Sequence, residues 1–201
     1  MFGVEEEQIY IERVGERDLI VPVEKFGVKM LSIGFMVSPD KPVLWRGSMA
    51  SNALRQLIAD ANWGDLDYFV IDMPPGTSDI HLTLVQTLAI DGVVVVSTPQ
   101  EVALADARKG IAMFRDDKVN VPVLGIVENM SYFKCPDCGK EHEIFGSSKV
   151  EQVAKEYGIE HTARLPIDPV VATMVDAGEI ESIDADALNE LADFIEKGEN
   201  S

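Results

Sequence analysis

Two cysteines, Cys135 and Cys138, stand in the spacing C-x-x-C and are the only ones in the 201-residue sequence. That spacing places two thiolates on one tight turn, close enough to share a metal, yet two thiolates fill only half of a four-ligand shell. Three completions are open. Two copies of the chain can meet on a two-fold axis and offer four cysteines to a bridging [4Fe–4S] cluster. A zinc knuckle can recruit His142 and one more ligand, a pattern that Cys-Pro-x-Cys-Gly followed by His fits well. A thioredoxin-type redox dithiol fits least, because the pair lies in a hydrophilic stretch, 131–148, and not at a strand-to-helix turn.

The second chemical candidate is Asp72. The apolar run Tyr68–Ile71 reads as a strand buried on both faces, and it ends on this carboxylate. Met73-Pro-Pro-Gly76-Thr-Ser-Asp79 follows, where two prolines and a glycine stop the ladder. An acid at the carboxyl end of a parallel strand sits where open α/β sheets bind ligands, and there it can hold a Mg²⁺-bound water beside a nucleotide. The plain alternative is an aspartate that caps the next helix.

Positioning these groups requires a sheet. Short strands are expected around Gln8–Glu12 and Leu19–Val23, then over Val28–Val37. Gly92–Pro99, with four consecutive valines, and Val121–Met130 read as buried strands, and His161–Asp168 as a last strand and loop. Helical periodicity marks Ala50–Asn62, Ile80–Ala89, Val102–Arg115, Val150–Tyr157, 169–178 and 184–197. Strands alternating with helices predict an α/β fold, a mainly parallel sheet with helices on both faces, in a single domain spanning 1–201. In such a sheet Asp72, Ser97-Thr-Pro-Gln100, Glu128-Asn-Met130 and Pro166-Ile-Asp168 all fall at strand carboxyl ends. Asn129 can then bond a base edge through its amide, and the main chain of Pro166, Ile167 and Asp168 can line the base's other side. The alternative for Asn129 is a turn asparagine. His81 and His161 take no role, and Arg46 and Lys109 read as solvated charge.

Composition narrows the partners. The sequence has 17 Lys+Arg against 35 Asp+Glu, a net charge of −18, so a general nucleic-acid or anionic-membrane surface is not expected. No apolar run is long enough to span a bilayer, and the first residues carry no secretory pattern, which makes a cytoplasmic, reducing location the expectation. There C-x-x-C favours a metal or redox element over a structural disulfide.

Four ordered stretches, Trp45–Met49, Tyr68–Asp79, Ser97–Phe114 and Val127–Cys138, resemble the Mrp/NBP35 family of ATP-dependent iron–sulfur cluster carriers, within the MinD-like deviant-P-loop ATPases. The resemblance covers practically the whole chain. It implies a homodimeric ATPase that binds a labile [4Fe–4S] cluster through Cys135 and Cys138 and passes it to apo iron–sulfur proteins. It further implies that Asp72 is the Walker B acid, that Gly76 belongs to switch II, and that Asn129 with Pro166, Ile167 and Asp168 contacts adenine. One element of the pattern is absent: nothing matches G-x-x-x-x-G-K-[ST] or the deviant K-G-G-x-G-K-[ST]. The chain therefore corresponds to the C-terminal two-thirds of the ATPase domain, whether as a piece, through a misplaced start codon or as a truncated paralogue. As written it is expected neither to bind ATP and Mg²⁺ tightly nor to hydrolyse ATP. The alternative function is a truncated, non-catalytic scaffold for zinc or an iron–sulfur cluster. A membrane-positioning ATPase is disfavoured, since 184–201 forms no basic amphipathic helix.

Overall fold

The computed structural model describes residues 1–4, 7–36, 47–74, 76 and 79–198. Arg46, Pro75, Thr77, Ser78 and the end of the expected strand Val28–Val37 lie outside the described residues. Internal contacts divide the chain into two compact units, 1–88 with 173–182 and 89–172 with 183–201.

In the first unit, β1 (Tyr10–Val14) and β2 (Arg17–Val21) pair antiparallel in the register Val14↔Arg17. A second hairpin joins β3 (Val23–Lys25) to β4 (Val28–Met30). Its turn residues, Phe26 and Gly27, have φ of 56° and 75°, the pair of positive values that a two-residue turn matching strand twist demands. β4 ends early because Ser32 takes over the backbone: its Oγ accepts the Gly34 N–H at 3.1 Å, and a 3₁₀ turn over Ile33–Met36 follows. Helices α1 (Gly47–Ala59) and α2 (Asp79–Thr87) pack together, with the Thr83 hydroxyl donating to Ser51 Oγ at 3.2 Å in a buried contact.

The expected buried strand at Tyr68–Ile71 does not form. The segment is irregular, and Val70 is 89% exposed. Phe69 instead sets its ring edge-on to Trp63 at 5.0 Å. Four apolar residues become a strand only when a neighbour's ladder takes their amides and carbonyls, and no strand among the described residues pairs with them.

The second unit holds the α/β sheet. β6 (Val123–Lys134) lies between β5 (Val93–Ser97) and β8 (His161–Pro166), parallel to both. Helix α3 (Glu101–Phe114) connects β5 to β6, and α4 (Val150–Tyr157) leads into β8, ending on Gly158 in the left-handed conformation, φ 59°. Alternation along β6 sorts its side chains to opposite faces. Ile126 joins Leu104, Ile111, Val150 and Val153 under α3 and α4. Val127 joins Ala163 and Leu191 under α6 (Asn189–Gly198). The parallel arrangement holds for these three strands. The full strand set is mixed, because β7 (Glu141–His142) runs antiparallel to the far end of β6 and the first unit contributes two hairpins. The stretch 131–148, expected as a hydrophilic insert, is thus partly strand. Helix α5 (Pro169–Ala177) follows β8.

Candidate metal centre and sheet-edge site

β6 does not stop at the sheet edge. It continues to Lys134, pairs with β7 through Phe133↔His142 and Lys134↔Glu141, and so carries the cysteines on a hairpin. The Cys135 N–H donates to the Lys140 carbonyl at 2.9 Å, and the Gly139 N–H donates to the Cys135 carbonyl at 2.8 Å, closing the turn. Pro136 supplies a fixed φ inside it, and Gly139 takes φ 71°, which a side chain would resist. Cys138 is exposed and Cys135 half-buried. The backbone N–H groups of Cys138 and Asp137, then the Cys138 thiol, bond the Cys135 sulfur and hold it below the ordinary 9.0, against a smaller effect of burial. A stabilised thiolate is the form that soft metals bind. Among the described residues no group of three or more His, Cys, Asp or Glu side chains is gathered.

The sheet edge is built one strand over. Ser97, Glu128 and Arg164 stand in register across β5, β6 and β8 at their carboxyl ends. Asn129 follows, and its Oδ1 accepts the Met130 N–H at 2.9 Å. It borders an apolar groove of about 360 Å³ whose walls include Val94, Val127 and Leu191. Pro166 pairs with Tyr132, and the Ile167 N–H donates to the Tyr132 carbonyl at 2.7 Å, so 166–167 stand beside β6 three residues past Asn129. The Asp168 carboxylate is committed locally: its Oδ1 accepts the Val170 N–H at 2.8 Å as the N-cap of α5, ahead of Pro169. Asp72 and Gly76 belong to the first unit. Asp72 is exposed, and Gly76 has φ 87° with open space where a Cβ would be.

A buried polar cluster joins the two sites and escaped the reading of the sequence, which gave a role to Asn129 alone in its motif. Glu128 is 1% exposed. Its Oε1 accepts the Ser131 hydroxyl at 2.6 Å, and its Oε2 accepts the Lys149 N–H at 3.2 Å. Arg164 Nε donates to Ser131 Oγ at 2.7 Å and lies 3.9 Å from Glu128 Oε1. Burial alone would raise the Glu128 carboxyl, but the Ser131 and Ser148 hydroxyls, the Lys149 N–H and the Arg164 charge outweigh it and hold the group below 4.5. The signal in the sequence was an acid closing the apolar run Val121–Val127.

A parallel α/β sheet with polar groups at the carboxyl ends of its strands is an arrangement that nucleotide-binding folds share. The model of the NUBPL iron-transfer P-loop NTPase, within the ParA group, matches residues 1–197. An iron–sulfur cluster carrier protein of Aquifex aeolicus is 47% identical over 180 residues, 89% of this chain and 48% of the relative. The iron–sulfur cluster transfer protein NUBPL of Dictyostelium discoideum is 45% identical over 163 residues, 81% of this chain and 50% of the relative. Among solved structures, a nucleotide-binding protein from Archaeoglobus fulgidus in complex with ADP and with Co superposes with a TM-score of 0.76 at 35% identity, covering 93% of this chain and 71% of that one. The chain belongs to the Mrp/NUBPL-type family of iron–sulfur cluster carrier P-loop NTPases. It spans about half the length of these two curated relatives.

Proposed function

We propose that this chain carries the cargo half of an iron–sulfur cluster carrier. Cys135 and Cys138 take a labile [4Fe–4S] cluster as cargo, a second copy of the chain supplies the other two thiolates, and the cluster passes to apo iron–sulfur proteins. The observation that supports this most is the hairpin itself: two thiols on one turn, one exposed and the other stabilised as thiolate. Half a ligand shell on an exposed turn suits a cluster that is held and then released.

In the same reading residues 1–201 form the later part of one ATPase domain. Asp72 acts as the Walker B acid on a Mg²⁺-bound water, Gly76 as part of switch II, and Asn129 with Pro166, Ile167 and Asp168 as the adenine side. ATP binding and hydrolysis by the whole protein would alter the dimer seam and with it the hold on the cluster. Location is cytoplasmic in this reading; no helix among the described residues is long and apolar enough to cross a membrane. Mixing the cluster-loaded chain anaerobically with an apo-acceptor tests the carrier role. The acceptor should gain its cluster faster than it does from free iron and sulfide, and a rate no faster than that would contradict the proposal.

A second reading, a non-catalytic zinc or iron–sulfur scaffold, is favoured by one observation: Cys135-Pro-Asp-Cys138-Gly is followed by His142, a spacing that suits zinc. Zinc bound by the purified chain with no uptake of iron would favour it.

A further inference from the structure

Between the base-side asparagine and the thiol pair, β6 contains an irregularity. Its register with β8 breaks after Glu128↔Arg164 and resumes at Tyr132↔Pro166, so Asn129, Met130 and Ser131 stand against Leu165 alone. Met130 takes φ 55° within it. Such a bulge interrupts the ladder and would act as a soft joint unless something pins it. The pin is buried. Ser131, 0% exposed, gives its hydroxyl proton to Glu128 and accepts Arg164 Nε, so one hydroxyl ties both strands together behind the bulge. Arg164 then lies over the Tyr132 ring at 5.2 Å, with Nη2 4.0 Å from Glu143 just beyond β7. Glu128 also takes the Lys149 N–H at the start of α4. Glu128, Ser131 and Arg164 together therefore link the residue before the bulge, the last residue within it, the end of β8, the start of α4 and, through Glu143, the return arm of the cysteine hairpin.

A carboxylate held this deep gains little net stability, since an apolar residue of similar size commonly does as well or better. Continuing the apolar run Val121–Val127 through position 128 would be the simpler solution for packing alone. The geometry points to a different role: we infer that Glu128, Ser131 and Arg164 are positioning residues for the cargo site. They lock the bulge so that Asn129 and the Cys135–Cys138 turn keep one fixed relation along β6. A displacement at the base side is then carried to the thiols as a shift of the hairpin and is not absorbed in the joint. The inference rests on the carrier reading above.

The test uses the full 201-residue chain with Glu128→Gln and, at a partly exposed position that spares the core, Arg164→Gln. Ile111→Val, in the core of the same unit, serves as a control that lowers stability without touching the hairpin. In the metal-free, reduced protein the readout is the rate of iodoacetamide alkylation at Cys135. In the reconstituted protein it is the half-time of iron loss to a ferrous chelator. Both variants should take up iron and sulfide at the wild-type level but lose iron about fivefold faster, the factor that one buried hydrogen bond represents. Their Cys135 alkylation rates should change too, while the control keeps wild-type rates. Wild-type rates in both variants, or an equal change in the control, overturn the inference. If the wild-type chain takes up no iron and sulfide, the carrier reading fails, and the alkylation arm still decides for or against the positioning role.

Discussion

Cys135 and Lys140 face each other across the mouth of the hairpin, with the Cys135 N–H donating to the Lys140 carbonyl at 2.9 Å. This bond continues the β6–β7 ladder one step past Lys134↔Glu141, so the first cysteine is held by sheet geometry while the second rides the exposed turn. The two thiols are chemically unequal as a result.

That inequality has a pH signature. N–H donors from Cys138 and Asp137 lower the Cys135 thiol, and a lowered thiol stays ionised to lower pH. In the metal-free, reduced chain, alkylation of Cys135 should therefore persist to lower pH than that of an ordinary cysteine thiol. Peptide mass spectrometry across a pH series measures it; a Cys135 profile no different from that of a free cysteine peptide would contradict the hairpin geometry.

Glu128 predicts an acid limb in stability. Its carboxyl is held below 4.5 in the folded chain, so the stabilisation it contributes is fully present above the unfolded value and is lost as pH falls through the folded value. Thermal unfolding from neutral pH to about pH 3 should show the wild type falling more steeply than Glu128→Gln. Parallel curves would mean that Glu128 titrates alike folded and unfolded.

Gly125 lets α6 approach the sheet. A Cβ there would lie 2.7 Å from Leu191 Cδ1 and 3.2 Å from the His161 carbonyl oxygen. Gly125→Ala should destabilise by about 1–2 kcal/mol through overpacking. Combining it with Leu191→Ala should cost less than the two single changes added together, because the second removes what the first strikes. Strict additivity in denaturant titrations would argue against the contact.

The 201-residue chain should show no Mg²⁺-dependent ATP turnover above blank, and Asp72→Ala should change nothing. The 201 residues hold no G-x-x-x-x-G-K-[ST], the loop whose amides and lysine partner a triphosphate. Turnover that disappears with Asp72→Ala would reverse this.

Sequence reasoning reached the elements that local pattern decides and missed those that pairing decides. Helices α3 and α4 fell within a residue of their expected bounds because periodicity and the Gly158 stop are local signals. The parallel pairing of the strands that carry Asn129 and Pro166 followed from strand order alone. Tyr68–Ile71 failed because strand character depends on a neighbour, which four apolar residues cannot announce. The extension of β6 to Lys134 was hidden for a related reason: only pairing with Glu141 and His142 keeps those polar residues extended. The Glu128–Ser131–Arg164 cluster needed the β6–β8 register, which places Arg164 beside an acid far from it in sequence. The cysteine spacing was plain, but the bonds that hold Cys135 required the folded hairpin.

Anaerobic reconstitution with iron and sulfide, followed by metal analysis and determination of oligomeric state, tests the central claim most directly. The account predicts one [4Fe–4S] cluster per two chains, a dimer that forms with the cluster, and loss of both in Cys135→Ser and Cys138→Ser. A monomer that binds one zinc, takes no iron, and keeps its metal in either serine variant would contradict it.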